Sequence, residues 1–303
     1  MRPDALPHPN RLAAVVVHFR TPGQTADCVA ALRRSQRPVD HLVVVDNGSG
    51  GRSVRDRLQS VDWIESSHNL GFAGGTNLGI RRALDAGASH VMLVNSDAVI
   101  HPECLGLLET TVEQPGVGLA GPAIVSAHAP ATLESTGIDY APLTGRMRLT
   151  DWGKPLPVTS GPAHPVDALS GCALLVRREV FDRVGLLAEG YFFGFEDLDF
   201  CLRAREAGFL ALCAPAARVV HQGGVSLAPS SPDRIYFSTR NQLLLAQRAH
   251  PLPAPLSALR GAHIIALNLA HLILRSNVPR WSGARAMAEG LCDYWAGRFG
   301  ARA

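Results

Sequence analysis

The chain has 303 residues, an apolar fraction of 47% and a formal net charge of +3. Such a chain can bury one large core with a small appendage, and it is neither disordered nor collagen-like. Its charge is too weak and too scattered for a nucleic-acid surface, so no nucleic-acid partner is expected. Residues 1–11 carry prolines and no apolar core, which argues against a signal peptide. A β-branched run at 12–19 predicts a strand, and 25–34 a helix with Val29 and Leu32 inward. A second strand at 41–45 ends in Asp46-Asn47-Gly48-Ser49-Gly50. A weaker third strand around Trp63 and Ile64 leads into Asn69-Leu70-Gly71-Phe72-Ala73-Gly74-Gly75-Thr76-Asn77. A helix from about residue 76 to 85 precedes a fourth strand, 90–94, which stops at Asn95-Ser96-Asp97. This alternation predicts a mostly parallel sheet with helices on both faces. Ligands of such sheets bind outside the carboxyl ends of the strands, where Asp46, Asn69 and Asp97 fall.

The second half is less regular. Residues 116–125 read as a strand. Residues 130–165, rich in Pro, Gly, Ser and Thr, are too long for an idle connection and predict a flap or short hairpin. A strand at 167–177, a helix at 178–184 and a strand at 211–220 ending at His221 follow. Residues 256–275 predict a helix with Arg260, Asn268, His271 and Arg275 along one face and apolar residues over most of the remainder. Between Arg260 and Arg275 it rises about 21 Å, short of the roughly 30 Å hydrocarbon core of a bilayer. It therefore either docks on the core or lies on a membrane surface. No run reaches the roughly 18 apolar residues of a span. Cys28, Cys104, Cys172, Cys201, Cys213 and Cys292 show no C-x-x-C pair or zinc spacing, so buried reduced thiols and a cytoplasmic setting are expected.

The most chemically loaded stretch runs from Phe192-Phe193-Gly194-Phe195 into Glu196-Asp197-Leu198-Asp199. Leu198, Cys201, Leu202 and Arg205 recur at helical spacing, which sets Glu196 and Asp197 at or just before a helix N-terminus. A carboxylate there is favoured as an anion by the free N–H groups and suits a general base that takes a proton from a hydroxyl. It equally suits a plain helix cap. Asp46, at a strand end, can accept the N3–H of uracil or thymine, or simply close an Asx-turn. Asp97, at another strand end, suits Mg²⁺ or Mn²⁺ bridging two phosphates. His221, followed by Gln222-Gly223-Gly224-Val225-Ser226, is a candidate second ligand that favours Mn²⁺. Arg240 could meet a pyrophosphate with its guanidinium fork, or be a surface arginine. No G-x-G-x-x-G spacing occurs, which counts against a nicotinamide-dependent oxidoreductase.

Seven segments in order resemble glycosyltransferase family 2 and its rhamnosyltransferase-like branch. They are Val15-Val16-Val17-His18-Phe19, Val45-Asp46-Asn47-Gly48-Ser49, Asn69 to Asn77, Leu93-Val94-Asn95-Ser96-Asp97, Gly171 to Arg178, Glu196-Asp197-Leu198-Asp199 and Val220 to Ser226. The resemblance implies a GT-A fold, Rossmann-like, over residues 11–245; beyond it, residues 246–303 read as a helical C-terminal extension, a candidate for membrane or acceptor contact. It implies an inverting transfer from a dTDP- or UDP-linked sugar to a glycan, lipid-linked or small-molecule acceptor. By that resemblance Asp197 is the base, Asp46 reads the nucleobase, and Asn69, His18, Gly74, Asn95 and Arg240 belong to the nucleotide-sugar site. Asp97 and His221 then hold Mg²⁺ or Mn²⁺. The family's metal motif is often Asp-x-Asp; Asn95 at its first position carries less charge toward a cation, though it can hold a ribose hydroxyl or a metal-bound water. A non-catalytic nucleotide-sugar-binding protein is the alternative.

Overall fold

The computed structural model describes residues 10–223 and 230–302. The expectations placed on residues 1–9 and on Gly224, Val225 and Ser226 lie outside the described residues. The first half follows the predicted alternation: β1 Leu12–His18, α1 Pro22–Arg33, β2 His41–Asp46, the short α2 Arg52–Arg55, β3 Asp62–Glu65, α3 Gly71–Asp85 and β4 His90–Asn95. Then come β5 Ala98–Ile100, α4 Cys104–Val112, β6 Val117–Ser126, β7 Leu133–Ser135, the hairpin β8 Ile138–Ala141 and β9 Arg146–Leu149, and β10 His164–Pro165. The chain closes with β11 Ala173–Arg177, α5 Arg178–Val184, α6 Glu196–Glu206, β12 Leu210–His221, α7 Pro232–Ala249, α8 Ala254–Leu274 and α9 Arg280–Trp295.

The main sheet has the order β10-β12-β6-β11-β4-β1-β2-β3. The pairs β1–β2, β1–β4, β2–β3 and β6–β12 are parallel, and β11 runs against both β4 and β6. This is the expected mostly parallel sheet, with one reversed strand in its middle. Both faces are covered, so the central strands are apolar on successive residues instead of alternating. Ala13, Val15, Val43, Val45, Val91 and Leu93 pack with Ala73 and Ile80 of α3 and with Leu198 and Cys201 of α6. Leu12, Ala14, Val16, Val44, Met92 and Val94 pack with Cys28, Val29 and Leu32 of α1 and with Leu105 and Leu108 of α4.

α3 begins at Gly71, several residues before the expected start, for a tertiary reason. Asn47 Oδ1 accepts from the Leu70 N–H at 3.0 Å, while Asn47 Nδ2 donates to Asn69 Oδ1 at 3.0 Å and to the Gly71 carbonyl at 2.9 Å. Gly71 takes a φ of +74°, and a Cβ there would stand 2.4 Å from the Phe192 carbonyl oxygen. The glycines that look like a ligand loop therefore let a helix approach a sheet. A Cβ on Gly79 would lie 2.2 Å from Val15 Cγ1, and one on Gly74 would lie 2.7 Å from Leu70 Cβ.

The C-terminal region departs from the expected division. A boundary at residue 245 falls inside α7, and α9 packs along that helix, with Tyr236, Phe237, Ala286 and Met287 in one apolar cluster. On α8, Arg260 of the expected polar face is buried against the core and donates to the Pro142 and His250 carbonyls, at 3.0 and 2.8 Å. Cys28, Cys104, Cys172, Cys201 and Cys213 are buried free thiols; Cys292 is a free thiol at the surface.

Candidate active site

A cavity of about 790 Å³ opens at the carboxyl ends of β1, β2 and β4. Its sheet-side wall comprises Val17, Phe19, Asn47, Asn69, Asn95, Ser96, Asp97 and His221. The opposite wall is Phe192, Phe193 and residues of the C-terminal helices, among them Arg234, Phe237, Arg285, Glu289 and Arg302. Asn69, Asn95, Asp97 and His221 thus converge on one site.

Strand parity decides which strand-end residues reach it. Side chains alternate across a strand. Val17 pairs with Asn95 on the α3 side, whereas His18 pairs with Asp46 on the α1 side. His18 is buried, its Nδ1 lies 2.8 Å from Thr25 Oγ1, and burial lowers its pKa against the pull of Asp46. Burial disfavours the Asp46 anion too, but three donors outweigh it and hold the carboxyl below its ordinary value. Oδ1 accepts from the Ser49 N–H and hydroxyl at 2.9 and 2.6 Å, and Oδ2 accepts from the Gly51 N–H at 2.6 Å. Asp46 is 0% exposed, so the Asx-type turn is what the structure holds and the carboxylate does not reach the cavity. Asn47, which sequence reasoning passed over, takes the cavity position; parity across three parallel strands is the signal that would have found it.

Two further expectations are corrected. Gly74 is buried against Leu70 and serves packing. Arg240 is wholly buried: its guanidinium lies over the Tyr236 and Phe237 rings and donates to the Tyr236 hydroxyl and the Gly190 and Tyr191 carbonyls. It fastens α7 to the 190–191 turn. The arginines lining the cavity are Arg234, Arg285 and Arg302. Of these, Arg302 is ion-paired to Asp233 and Glu289, and Arg285 to Glu289.

At the other end, β5 pairs antiparallel with β12 so that His221 stands opposite Ala98. That register brings His221 Nε2 to 3.4 Å from Asp97 Oδ1. On its far side, His221 Nδ1 lies 3.1 Å from both carboxylate oxygens of Glu134, on β7. Burial opposes a charge on His221, but Asp97, Glu134 and the Cys172 sulfur together raise its pKa well above the ordinary value. Asn95 Oδ1 is buried with no hydrogen-bond partner. Among the described residues no three His, Cys, Asp or Glu side chains gather as a self-sufficient metal site. Asp97, His221 and the unpartnered Asn95 oxygen nevertheless form a nitrogen and oxygen donor set that fits a divalent ion also held by a ligand's phosphates.

The acidic stretch forms the first turn of α6, as its spacing predicts. Phe195 precedes it in the left-handed region at φ 77°. The three acids then diverge. Asp199 is buried, accepts from the Tyr191 hydroxyl at 3.0 Å and pairs with Arg203 at 2.7 Å, which is a structural role. Glu196 Oε2 is buried and unpartnered; burial, then repulsion from Asp197, pushes its pKa up to about 8. Asp197 accepts from the Gly171 and Leu198 N–H groups, both at 2.8 Å, and burial raises its pKa against those bonds. Asp197 does not line the cavity; the Phe72 ring, which does, lies on the same side of Gly171. A Cβ at Gly171 would be 3.2 Å from Phe72 Cε1 and 3.3 Å from Asp197 Cβ.

Comparison with known proteins agrees with this geometry. The chain is 30% identical over 271 residues to the N-acetylglucosaminyl-diphospho-decaprenol L-rhamnosyltransferase of Mycobacterium tuberculosis, covering 81% of this chain and 87% of that one. It is 26% identical over 221 residues to the dTDP-rhamnosyl transferase RfbF of Shigella flexneri, covering 69% and 72%. Its fold matches the mannosyltransferase PcManGT of Pyrobaculum calidifontis, solved with GDP-Man and Mn²⁺, with a TM-score of 0.57 and 15% identity over 96% of this chain and 84% of that one. The model of the family described as glycosyltransferase like family 2 matches residues 9–242. The chain therefore belongs to glycosyltransferase family 2, and it is a GT-A-fold transferase that uses a nucleotide-activated sugar.

Proposed function

We propose that this transferase moves a hexose, with dTDP-rhamnose as the first donor to try and a UDP-sugar as the second, and that Asp197 is the base. The observation that carries the reading is the one cavity in which Asn69, Asn95, Asp97 and His221 meet beside the N-terminal turn of α6. Its volume falls within the range of small-molecule sites. The two rhamnosyltransferase relatives support the donor.

In this reading the nucleotide lies across the ends of β1 and β2, bounded by Phe19, Asn47 and Asn69. Asp46 acts indirectly, by holding the 48–51 turn. Asp97, His221 and Asn95 are the residues that would hold Mg²⁺ or Mn²⁺. The chemistry a divalent ion held there would supply is to offset charge on the diphosphate leaving group. Asp197 takes the acceptor's proton while the new C–O bond forms on the sugar face opposite the leaving diphosphate, which inverts the anomeric carbon. Two backbone N–H donors keep Asp197 oriented, and its raised pKa makes it a better proton acceptor than an exposed carboxylate. Phe72 then has to turn aside to admit the acceptor.

The test is Asp197→Asn, which keeps shape and loses the acceptor of the proton. Turnover should fall about 100-fold or more, while donor affinity stays within a few-fold. An Asp197→Asn variant with near-native turnover removes the assignment. Thermal stabilisation by a panel of nucleotide sugars, with and without Mn²⁺, identifies the donor.

A further inference from the structure

We propose that α8 and the start of α9 form a docking face for an anionic lipid bilayer, which sets the mouth of the sugar-transfer cavity at headgroup level. This rests on the transferase reading and names the source of the acceptor: a glycan carried on a membrane lipid.

The starting observation is that α8 carries apolar side chains on its outward side as well as its inward one. Toward the protein it turns buried Ile264 and Leu272, with Arg260 donating to the Pro142 and His250 carbonyls and Asn268 to Gln242 Oε1 at 3.2 Å. The outward seam is Leu259, Ala262, Ala266, Leu269 and Ile273, all exposed, at alternating spacings of three and four that keep them on one face. Leu259 is 69% exposed and Ile273 49%. An apolar seam of this length facing outward marks an interaction surface.

Charge selects the occupant. Residues 234–288 contain no Asp or Glu, while Arg275 and Arg280, both exposed, follow the end of α8 in the chain. A second copy laid on this face would set arginine near arginine with no carboxylate between them. An anionic lipid surface instead pairs with those guanidiniums while its acyl region receives the leucines and isoleucine. Trp281, 84% exposed and next to Arg280 in the chain, is the residue type that favours the headgroup level. α8 is long and apolar enough to cross a membrane by length and composition. Crossing would strip Arg260 and Asn268 of their partners, so the helix lies along the surface.

α9 links this face to the site. Arg285 lines the cavity and stands one helical turn, about 6 Å of rise, beyond Trp281.

The experiment is co-sedimentation of the full chain with vesicles of phosphatidylcholine alone or mixed with phosphatidylglycerol. Binding to the mixed vesicles should exceed binding to neutral ones by about tenfold or more, and Arg275→Glu with Arg280→Glu should abolish that excess. Leu269→Asp with Ile273→Asp should abolish vesicle binding while leaving nucleotide binding, measured separately, unchanged. Trp281 emission should shift to the blue on mixed vesicles, and the shift should vanish in Trp281→Phe. A chain that ignores both vesicle types overturns the proposal, as does equal binding to both. Self-association that the Leu269→Asp, Ile273→Asp pair removes, without vesicle binding, assigns the seam to a second copy instead. Loss of nucleotide binding in the unaltered chain would count against the transferase reading, which this assay keeps separate.

Discussion

Glu134 meets the Nδ1 edge of His221 with both carboxylate oxygens while Nε2 points at Asp97. Histidines that hold metals commonly donate the other ring N–H to a carboxylate, which fixes tautomer and orientation. On the proposed metal role of His221, Glu134 is a positioning residue, and no sequence motif announces it because β7 reaches β12 only through the sheet. Glu134→Gln should weaken Mn²⁺ binding, measured by calorimetry with nucleoside diphosphate present, by about 10- to 100-fold. Turnover at saturating Mn²⁺ should stay near native; a lower turnover with unchanged Mn²⁺ affinity would remove the positioning role. Glu196 supports a second residue-scale prediction. Its pKa stands at about 8 in the fold against an ordinary 4.5. Between those values the unfolded chain has released the proton and the native chain still holds it. Stability therefore falls as pH rises from about 4.5 through about 8, by about 1.4 kcal/mol for each unit of difference at most. Glu196→Gln, uncharged throughout, should flatten that decline and be the more stable protein at pH 8. Urea midpoints of the two proteins at pH 5 and pH 8 test it; parallel shifts would show that Glu196 is not the group responsible.

At the scale of elements, the predictable and the hidden parts of the fold differ in where their information lies. β1, β2 and β4 were legible because buried parallel strands carry continuous apolar runs, and Asp97 and His221 were legible as polar residues closing such runs. The assignments that moved, His18 and Asp46, each sit one position from a residue that faces the cavity. A single strand does not say which of its faces meets a ligand; the register of β1 against β2 and β4 does. α3 shows the same limit, since its start depends on Asn47 and Phe192, distant in sequence. α7 is not legible in the sequence because Arg240, Asn241 and Gln242 look like surface residues. They are buried there by bonds to the carbonyls of Tyr191, Phe193 and Gly145. The glycines of α3 allow a direct check of the packing argument. Gly79→Ala places a methyl 2.2 Å from Val15 Cγ1 in a fully buried layer. Overpacking of this kind costs about 1–3 kcal/mol. The urea midpoint should fall with the slope unchanged, and a midpoint equal to that of the parent would contradict the close helix–sheet approach.

Across the whole molecule, the cavity depends on the C-terminal helices as much as on the sheet. Sequence patterning separates an α/β half from a helical extension, yet the extension completes the cavity. Arg302, near the end of the chain, pairs with Asp233 at the start of α7 and with Glu289 on α9. The Tyr236 hydroxyl donates to Asp293 Oδ2 at 2.5 Å, and the Arg302 guanidinium lies over the Tyr236 ring. These contacts close the wall opposite Asp97, so the distance between α7 and α9 sets where that wall's side chains stand. Gly290 sets that distance: a Cβ there would lie 2.8 Å from the Tyr236 carbonyl oxygen, a backbone atom that cannot rotate away. Gly290→Val should push α9 outward, costing about 1–3 kcal/mol of stability and displacing Arg285, Glu289 and Arg302 from the cavity. Nucleotide affinity should then drop several-fold although no residue of the sheet-side wall has changed. Calorimetry on the folded variant reads this directly. Native affinity in a destabilised Gly290→Val protein would mean that the sheet edge alone holds the donor and that the C-terminal wall serves only stability.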